Sequence, residues 1–292
     1  MTTAVIGATG RVGRAVVAGL IADKRPVVAI VRDAARARQL FGPDGHLDTG
    51  LLDIRPAPLD RPAEVRAALD GAATVFIAMG SAGLEGNLQR AVIAAASTVK
   101  IEQFIRLAVL NTAPTSLGIN QRAHWDIDFA ADVAGLPYTT IRPAIFSASL
   151  LAGAAEIKAS RTWTGLAGTG RVALTDHRDA AEAAVRVITD PATWGRHHDL
   201  TGPRLLSWPE AMQALSAELG EQVTFVTTSE QDLLARLTGL GVPPFQAELL
   251  ITREWALLAG ENERTTTGIR DLTGHPPRTV EDFLHENREA FR

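Results

Sequence analysis

Cysteine is absent from this chain of 292 residues, which excludes a thiolate nucleophile, a cysteine metal site and any disulfide framework, and is compatible with a reducing compartment. Tyrosine occurs once, as Tyr138, and lysine three times, as Lys24, Lys100 and Lys158, leaving 26 of the 29 basic residues as arginine. Chemistry built on tyrosine or lysine therefore has almost no candidates. No apolar run approaches the ~18 residues a membrane helix needs, and no positive leader precedes the apolar start, so a cytoplasmic protein with no membrane partner is expected. The formal net charge of −4, with both signs interspersed, lacks the basic footprint of a nucleic-acid binder. At ~150 residues per domain the length allows one large or two modest domains.

What is present begins at the start of the chain. Thr3 to Ile6 is a short apolar run, followed by Gly7-Ala8-Thr9-Gly10-Arg11-Val12-Gly13 and by Val16, Val17, Leu20 and Ile21 at helical spacing. Val27 to Val31 is a second apolar run of the kind a buried parallel strand shows. Strand, glycine turn, helix and strand make a βαβ unit. In it Gly7 serves a tight reversal, Gly10 lets the backbone approach a pyrophosphate, and Gly13 allows close helix packing. Phosphates are then expected on the helix N-terminus, where unpaired N–H groups and the helix dipole favour an anion.

Nineteen residues after Gly13 stands Arg32, where a unit preferring NAD carries an acidic residue for the ribose 2′-hydroxyl. Arginine favours a 2′-phosphate, and Arg36 one turn on is placed to assist, so NADP(H) is the expected cofactor. Asp33 is the competing reading, either as a ribose ligand or as a helix cap before Ala34 and Ala35.

Residues 39–62 are rich in Gly and Pro and read as loops around one strand near Leu51 to Pro58, with a short helix from Glu64 to Leu69. Ala73 to Ala78 reads as a buried strand. Ligands lie beyond the carboxyl ends of parallel strands, so Ala78, Met79, Gly80 and Ser81 should face the cofactor. A helix over Asn87 to Val99, a strand over Phe104 to Val109, a helix over Arg122 to Ala134 and a strand over Leu136 to Pro143 complete an α/β pattern, a doubly wound parallel Rossmann sheet.

In the C-terminal third, Ser207-Trp208-Pro209-Glu210 is a capping-box signature, and Ser229 to Asp232 and Thr279 to Asp282 repeat the pattern, so a mostly helical layer is expected. Phe146, and Trp163 in a loop before Gly165, are candidates to line a substrate pocket, against ordinary core packing. His197-His198 is a poor chelate, because neighbours on a strand point to opposite faces; no metal site is expected.

These motifs resemble the NmrA-like group of atypical short-chain dehydrogenases/reductases. The matching pieces are the glycine turn, Arg32, Phe104 to Leu110, His124-Trp125-Asp126-Ile127-Asp128 leading into Gly135 to Pro143, Thr175 to Ala180, Leu200 to Pro203 and Thr273 to Arg278. The resemblance covers nearly the whole chain. It implies a Rossmann domain over 1–150 and 172–190, and a smaller, mostly helical substrate domain over 151–171 and 191–292. It also implies cofactor contacts from Gly7, Thr9, Gly10, Arg11, Val12 and Gly13, from Arg32 and Arg36, from Ala78, Met79 and Gly80, and from Leu107 and His124.

Short-chain reductases of the usual kind use a Ser, with a Tyr and Lys four apart that protonate a carbonyl oxygen. Here the matching positions hold Ala108, Asn120 and His124, and the sole tyrosine is followed four residues later by Arg142. His124 and Asn120 are thus the catalytic candidates and Ala108 a substrate neighbour. A neutral His124 would hold a ribose hydroxyl; a protonated one would donate to a developing oxyanion. At the adenine end the family's Asp falls on Pro58, with Asp60 two residues on.

The expectation is an NADPH-dependent reductase of a quinone-like or conjugated aromatic small molecule, acting as a monomer or homodimer. The alternatives are a non-catalytic NADP(H)-sensing protein and a redox-neutral role in natural-product tailoring.

Overall fold

The computed structural model describes residues 1–80 and 82–292. Its strands are β1 (Thr3–Ile6), β2 (Val27–Val31), β3 (Leu52–Pro56), β4 (Thr74–Ile77), β5 (Gln103–Leu107), β6 (Tyr138–Pro143), β7 (Thr162–Gly165), β8 (Arg171–Val172), β9 (His197–Leu200), β10 (Leu206–Ser207) and β11 (Thr224–Thr227). Seven of them form the main sheet, in the order β3-β2-β1-β4-β5-β6-β9. The pairings from β3 through to β6 are parallel. Between successive strands run α1 (Arg11–Ala22), α2 (Ala34–Phe41), α3 (Pro62–Ala68), α4 (Leu84–Ala96) and α5 (Ile119–Val133). This is the doubly wound Rossmann sheet, and its order reverses at β1, which pairs with both β2 and β4.

The inner strands are mostly apolar because helices cover both faces, with Arg106 of β5 a buried exception. Ala4, Val5 and Ile6 of β1, Val75 to Ile77 of β4, and Phe104 and Ile105 of β5 are all buried.

The chain divides into two compact units, Met1–Ala108 with Ala123–Arg142 and Arg178–His198, and Val109–Arg122 with Pro143–His177 and Asp199–Arg292. The segment after β5, expected with the dinucleotide domain, thus groups with the second unit, and so do Phe146 and Asn120.

The second unit contains α6 (Ala154–Ser160), α8 (Trp208–Leu219), α9 (Glu230–Gly239), α10 (Pro244–Leu258), α11 (Gly268–Thr273) and α12 (Val280–Glu286), while α7 (His177–Thr189) falls mostly in the first. The capping box at Ser207 and Glu210 forms as expected, Ser207 accepting from the Glu210 N–H and the Glu210 carboxylate from the Ser207 N–H. The unit is not only helical: β7 pairs in parallel with β11, and β8 antiparallel with β10.

Trp163 lies in β7 opposite Phe225, not in a loop. Its ring packs at 5.1 Å from Trp208 and edge-on at 5.7 Å to Phe225, and it fills the space where a Cβ on Gly153 would stand, 2.7 Å away. Core packing accounts for this tryptophan, which corrects the expectation of an aromatic in an open loop. No helix among the described residues is long and apolar enough to cross a membrane.

Candidate functional site

At the point where the strand order reverses, the carboxyl ends of β1 and β4 lie side by side, with the Ala78 N–H donating to the Ile6 carbonyl at 3.0 Å. Gly7 turns the chain there with φ +79°, and a Cβ on it would stand 2.1 Å from the Ala78 carbonyl oxygen. A Cβ on Gly13 would stand 2.1 Å from the Gly7 oxygen, so α1 can sit this close to β1 only with glycine. Gly10 differs: a Cβ there meets only the Gly7 oxygen, at 3.3 Å, and Gly10 itself is exposed.

Gly10 is the N-cap of α1 and offers no side chain to the helix, and the first turn carries no acidic residue. The leading N–H groups of Arg11, Val12 and Gly13 have no intrahelical acceptor, so this end of α1 is an open anion seat. Thr9 is half-buried beside it and Arg11 exposed.

At the end of β2, Asp33 caps α2, its carboxylate accepting the Arg36 N–H at 2.9 Å. Helix capping therefore occupies the carboxylate that competed with Arg32. Both Arg32 and Arg36 are exposed, and neither guanidinium has an ion pair among the described residues. Beyond β4, Ala78, Met79 and Gly80 are half-buried, and the Gln89 amide of α4 holds the segment by donating to the Gly80 carbonyl at 2.7 Å and the Met79 carbonyl at 3.3 Å. Ser81 lies outside the described residues.

A buried polar cluster of the first unit joins β5, α5 and β6. Arg106, on β5 one residue before Leu107, is almost wholly buried and donates through Nη1 to His124 Nδ1 at 2.7 Å and through Nη2 to the His124 carbonyl at 2.9 Å. Its Nε reaches Asp128 at 3.0 Å, and Nη2 forms an ion pair with the same carboxylate. Arg142 of β6 approaches Asp128 at 3.3 Å from the other side. Burial pushes the His124 imidazole well below its ordinary pKa, and the Arg106 and Arg142 charges push it further. Both effects favour the neutral imidazole.

Asn120 stands one helical turn before His124 on α5 and is half-buried. Ala108 is buried, its N–H donating to the Ile141 carbonyl at 2.7 Å. Tyr138 opens β6 opposite Phe104, at the amino end of the strand. Five residues of rise separate it from the carboxyl end, about 16 Å. Burial and then Asp128 and Asp132 also raise its pKa, making it a poorer acid. Phe146 is half-buried in the second unit, bridged to Thr175. Asp60 is exposed, and Pro58 half-buried.

Two residues escaped the sequence reading. Arg106 reads there as one more strand residue, and its partners come 18 and 22 positions later. Asn111, in the second unit, has φ +58°, and its amide Nδ2 is buried with no partner among the described residues. The available signal was an asparagine just past a strand end, since asparagine tolerates the left-handed region better than most residues.

The family model for the NmrA-like family matches residues 1–284. The chain belongs to the NmrA-like family. It is 31% identical to the NAD(P)H azoreductase of Xenophilus azovorans, over 98% of each chain, and 27% identical to quinone oxidoreductase 2 of Escherichia coli, over 96% of each. Among solved structures it is similar to the NADPH-dependent quinone oxidoreductase of Escherichia coli complexed with NADPH, at 27% identity and TM-score 0.89, covering 97% of this chain and 99% of that one.

Proposed function

We propose that this protein is an NADPH-dependent reductase that delivers hydride to a quinone-like or other conjugated aromatic small molecule. The observation that carries the reading is the open anion seat at Gly10, together with the exposed guanidinium groups of Arg32 and Arg36 in the same unit, which have no ion pair among the described residues. The names of the azoreductase and quinone oxidoreductase relatives support the same class of acceptor.

Gly7, Gly10 and Gly13 let the N–H groups of Arg11, Val12 and Gly13 hold the pyrophosphate, with Thr9 beside them. Arg32 grips the 2′-phosphate in a charge-assisted fork, and Arg36 adds a second cation. Ala78, Met79, Gly80 and Leu107 line the cofactor at the strand ends, and His124 holds it from α5. When bound, reduced nicotinamide supplies the hydride.

None of Ala108, Tyr138 and His124 is a strong acid: Ala108 has no hydroxyl, Tyr138 stands at the far end of β6, and the His124 pKa is lowered. A conjugated acceptor suits such a site because delocalisation stabilises the anion left by hydride addition, and water then provides the proton. Asn120 is a polar neighbour one turn from His124 on α5.

The test is NADPH oxidation by the full chain with a panel of quinones and azo dyes, followed by the loss of reduced-nicotinamide absorbance. Acceptor-dependent oxidation is expected. Tight NADPH binding with no oxidation by any acceptor overturns the reductase and favours an NADP(H) sensor.

A further inference from the structure

A histidine that serves as a base commonly has a carboxylate on Nδ1, which makes Nδ1 the donor and leaves Nε2 as the acceptor that takes a proton. His124 has the opposite neighbour. Its Nδ1 faces Arg106 Nη1 at 2.7 Å, and a guanidinium has only N–H donors and does not lose its charge in proteins. Nδ1 must therefore be the acceptor, so the single proton of a neutral ring sits on Nε2.

The guanidinium is itself fixed. Its Nε donates to Asp128 Oδ1 at 3.0 Å, Nη2 pairs with the same oxygen and also donates to the His124 carbonyl at 2.9 Å, and the residue is 1% exposed. Arg106 thus grips His124 by both its ring and its backbone, while Asp128 balances the charge. The charged groups acting on the ring include Arg106 from β5 and Arg142 from β6, and Asp128 of α5 pairs with both.

We propose that Arg106 is a positioning residue that locks His124 in its Nε2–H tautomer, making the ring a one-way hydrogen-bond donor and not a proton carrier. The lock is a property of the first unit alone; its use in catalysis rests on the reductase reading above. There the Nε2–H donates to an oxygen of cofactor or acceptor and keeps its proton throughout. Hydride adds to the acceptor, its π bond yields the electron pair to oxygen, and water protonates that oxygen afterwards. The device thus selects acceptors whose reduced anion is stabilised before protonation, and rejects simple ketones.

Nitrogen-15 spectra of the full chain, with the His124 signals assigned by their loss in His124→Gln, read the tautomer directly. The expected result is a protonated Nε2 and a bare Nδ1, unchanged between about pH 5 and 8, the range in which an ordinary histidine titrates. A protonated Nδ1, or an imidazolium anywhere in that range, overturns the lock. In the double variant Arg106→Met with Asp128→Leu, which removes both charges together, Nδ1 is expected to gain a share of the proton; an unchanged tautomer overturns the role of Arg106.

Turnover is then read with NADPH and 1,4-naphthoquinone. His124→Leu should lower kcat by about tenfold or more, and His124→Gln, which keeps an N–H at the Nε2 position, should recover most of that loss with a pH profile parallel to wild type. A wild-type break in kcat near the ordinary histidine pKa that vanishes in His124→Gln overturns the proposal. A locked tautomer in a chain that oxidises no NADPH supports the lock and removes the reductase reading instead.

Discussion

Arg32 and Asp33 adjoin in the sequence yet differ in what they have left to offer a ligand. The Asp33 carboxylate is committed to the Arg36 N–H, whereas Arg32 is exposed and has no ion pair among the described residues. Hydrogen bonds to a charged group contribute about 1.5–3 kcal/mol, so Arg32→Ala should weaken NADPH binding by about ten- to a hundredfold. NADH, which lacks the 2′-phosphate, should bind nearly as before. Fluorescence titration of both cofactors checks this, and an unchanged NADPH-to-NADH ratio refutes the 2′-phosphate contact. His124 gives a second prediction at this scale. Its pKa is lowered in the folded chain, so below the ordinary value near 6.5 the unfolded chain binds a proton that the folded chain refuses. The contribution is fully present above that pH and is lost as the pH falls through it, by up to about 1.4 kcal/mol per pH unit. Urea unfolding at pH 7.5 and at pH 5.5 should therefore show a larger drop for wild type than for His124→Gln, by about 1 kcal/mol. Equal drops would contradict a buried neutral imidazole.

The turn between β1 and α1 separates two uses of glycine that the motif alone runs together. At Gly13 a Cβ would collide with backbone at 2.1 Å, so Gly13→Ala must push α1 away from β1. The expected cost is about 2–3 kcal/mol of stability, with cofactor affinity lost alongside. At Gly10 the same methyl meets one oxygen at 3.3 Å and points into open space, and the backbone has an ordinary φ of −77°. Gly10→Ala should thus fold with stability within about 0.5 kcal/mol of wild type, yet bind NADPH at least tenfold more weakly, because the methyl occupies the pyrophosphate's approach. Thermal unfolding and NADPH titration on the two variants check the pair; equal effects would mean that Gly10 only shapes the turn. The reading of this element was available from sequence because strand, glycine spacing and helix are all local. The strand of Trp163 was not, since β7 takes its register from β11, some sixty residues later, and four residues of mixed polarity carry no period of their own. The Arg106 cluster was hidden for the same reason: an arginine in an apolar strand announces burial, but its partners are chosen by packing of α5 on the sheet.

At the scale of the whole molecule, the two compact units have separate cores, one built on β1, β4 and β5 and the other around Trp163, Trp208 and Phe283. Every cofactor residue proposed above lies in the first unit, so NADPH binding is linked to the unfolding of that unit in particular. A ligand that binds only the folded state stabilises it by about 2.7 kcal/mol at a concentration of a hundred times its Kd. Amide exchange of the full chain, read with NADPH and without it, should therefore slow about a hundredfold at the buried strand residues Val5, Ile6, Phe76 and Ile77, wherever exchange proceeds by unfolding. If the two cores unfold as one cooperative body, Trp163 and Met212 gain the same protection; if they unfold separately, those residues keep their unliganded rates. Both patterns require the first unit to gain. Exchange that slows in the second core while Val5 and Phe76 stay unchanged would place the cofactor's binding energy in the wrong unit, and with it remove the glycine turn, Arg32 and His124 from the site together. Repeating the measurement with Arg32→Ala at the same NADPH concentration calibrates it, since a ten- to hundredfold loss of affinity must erase from about half to about five-sixths of the added protection, roughly 1.3–2.3 kcal/mol.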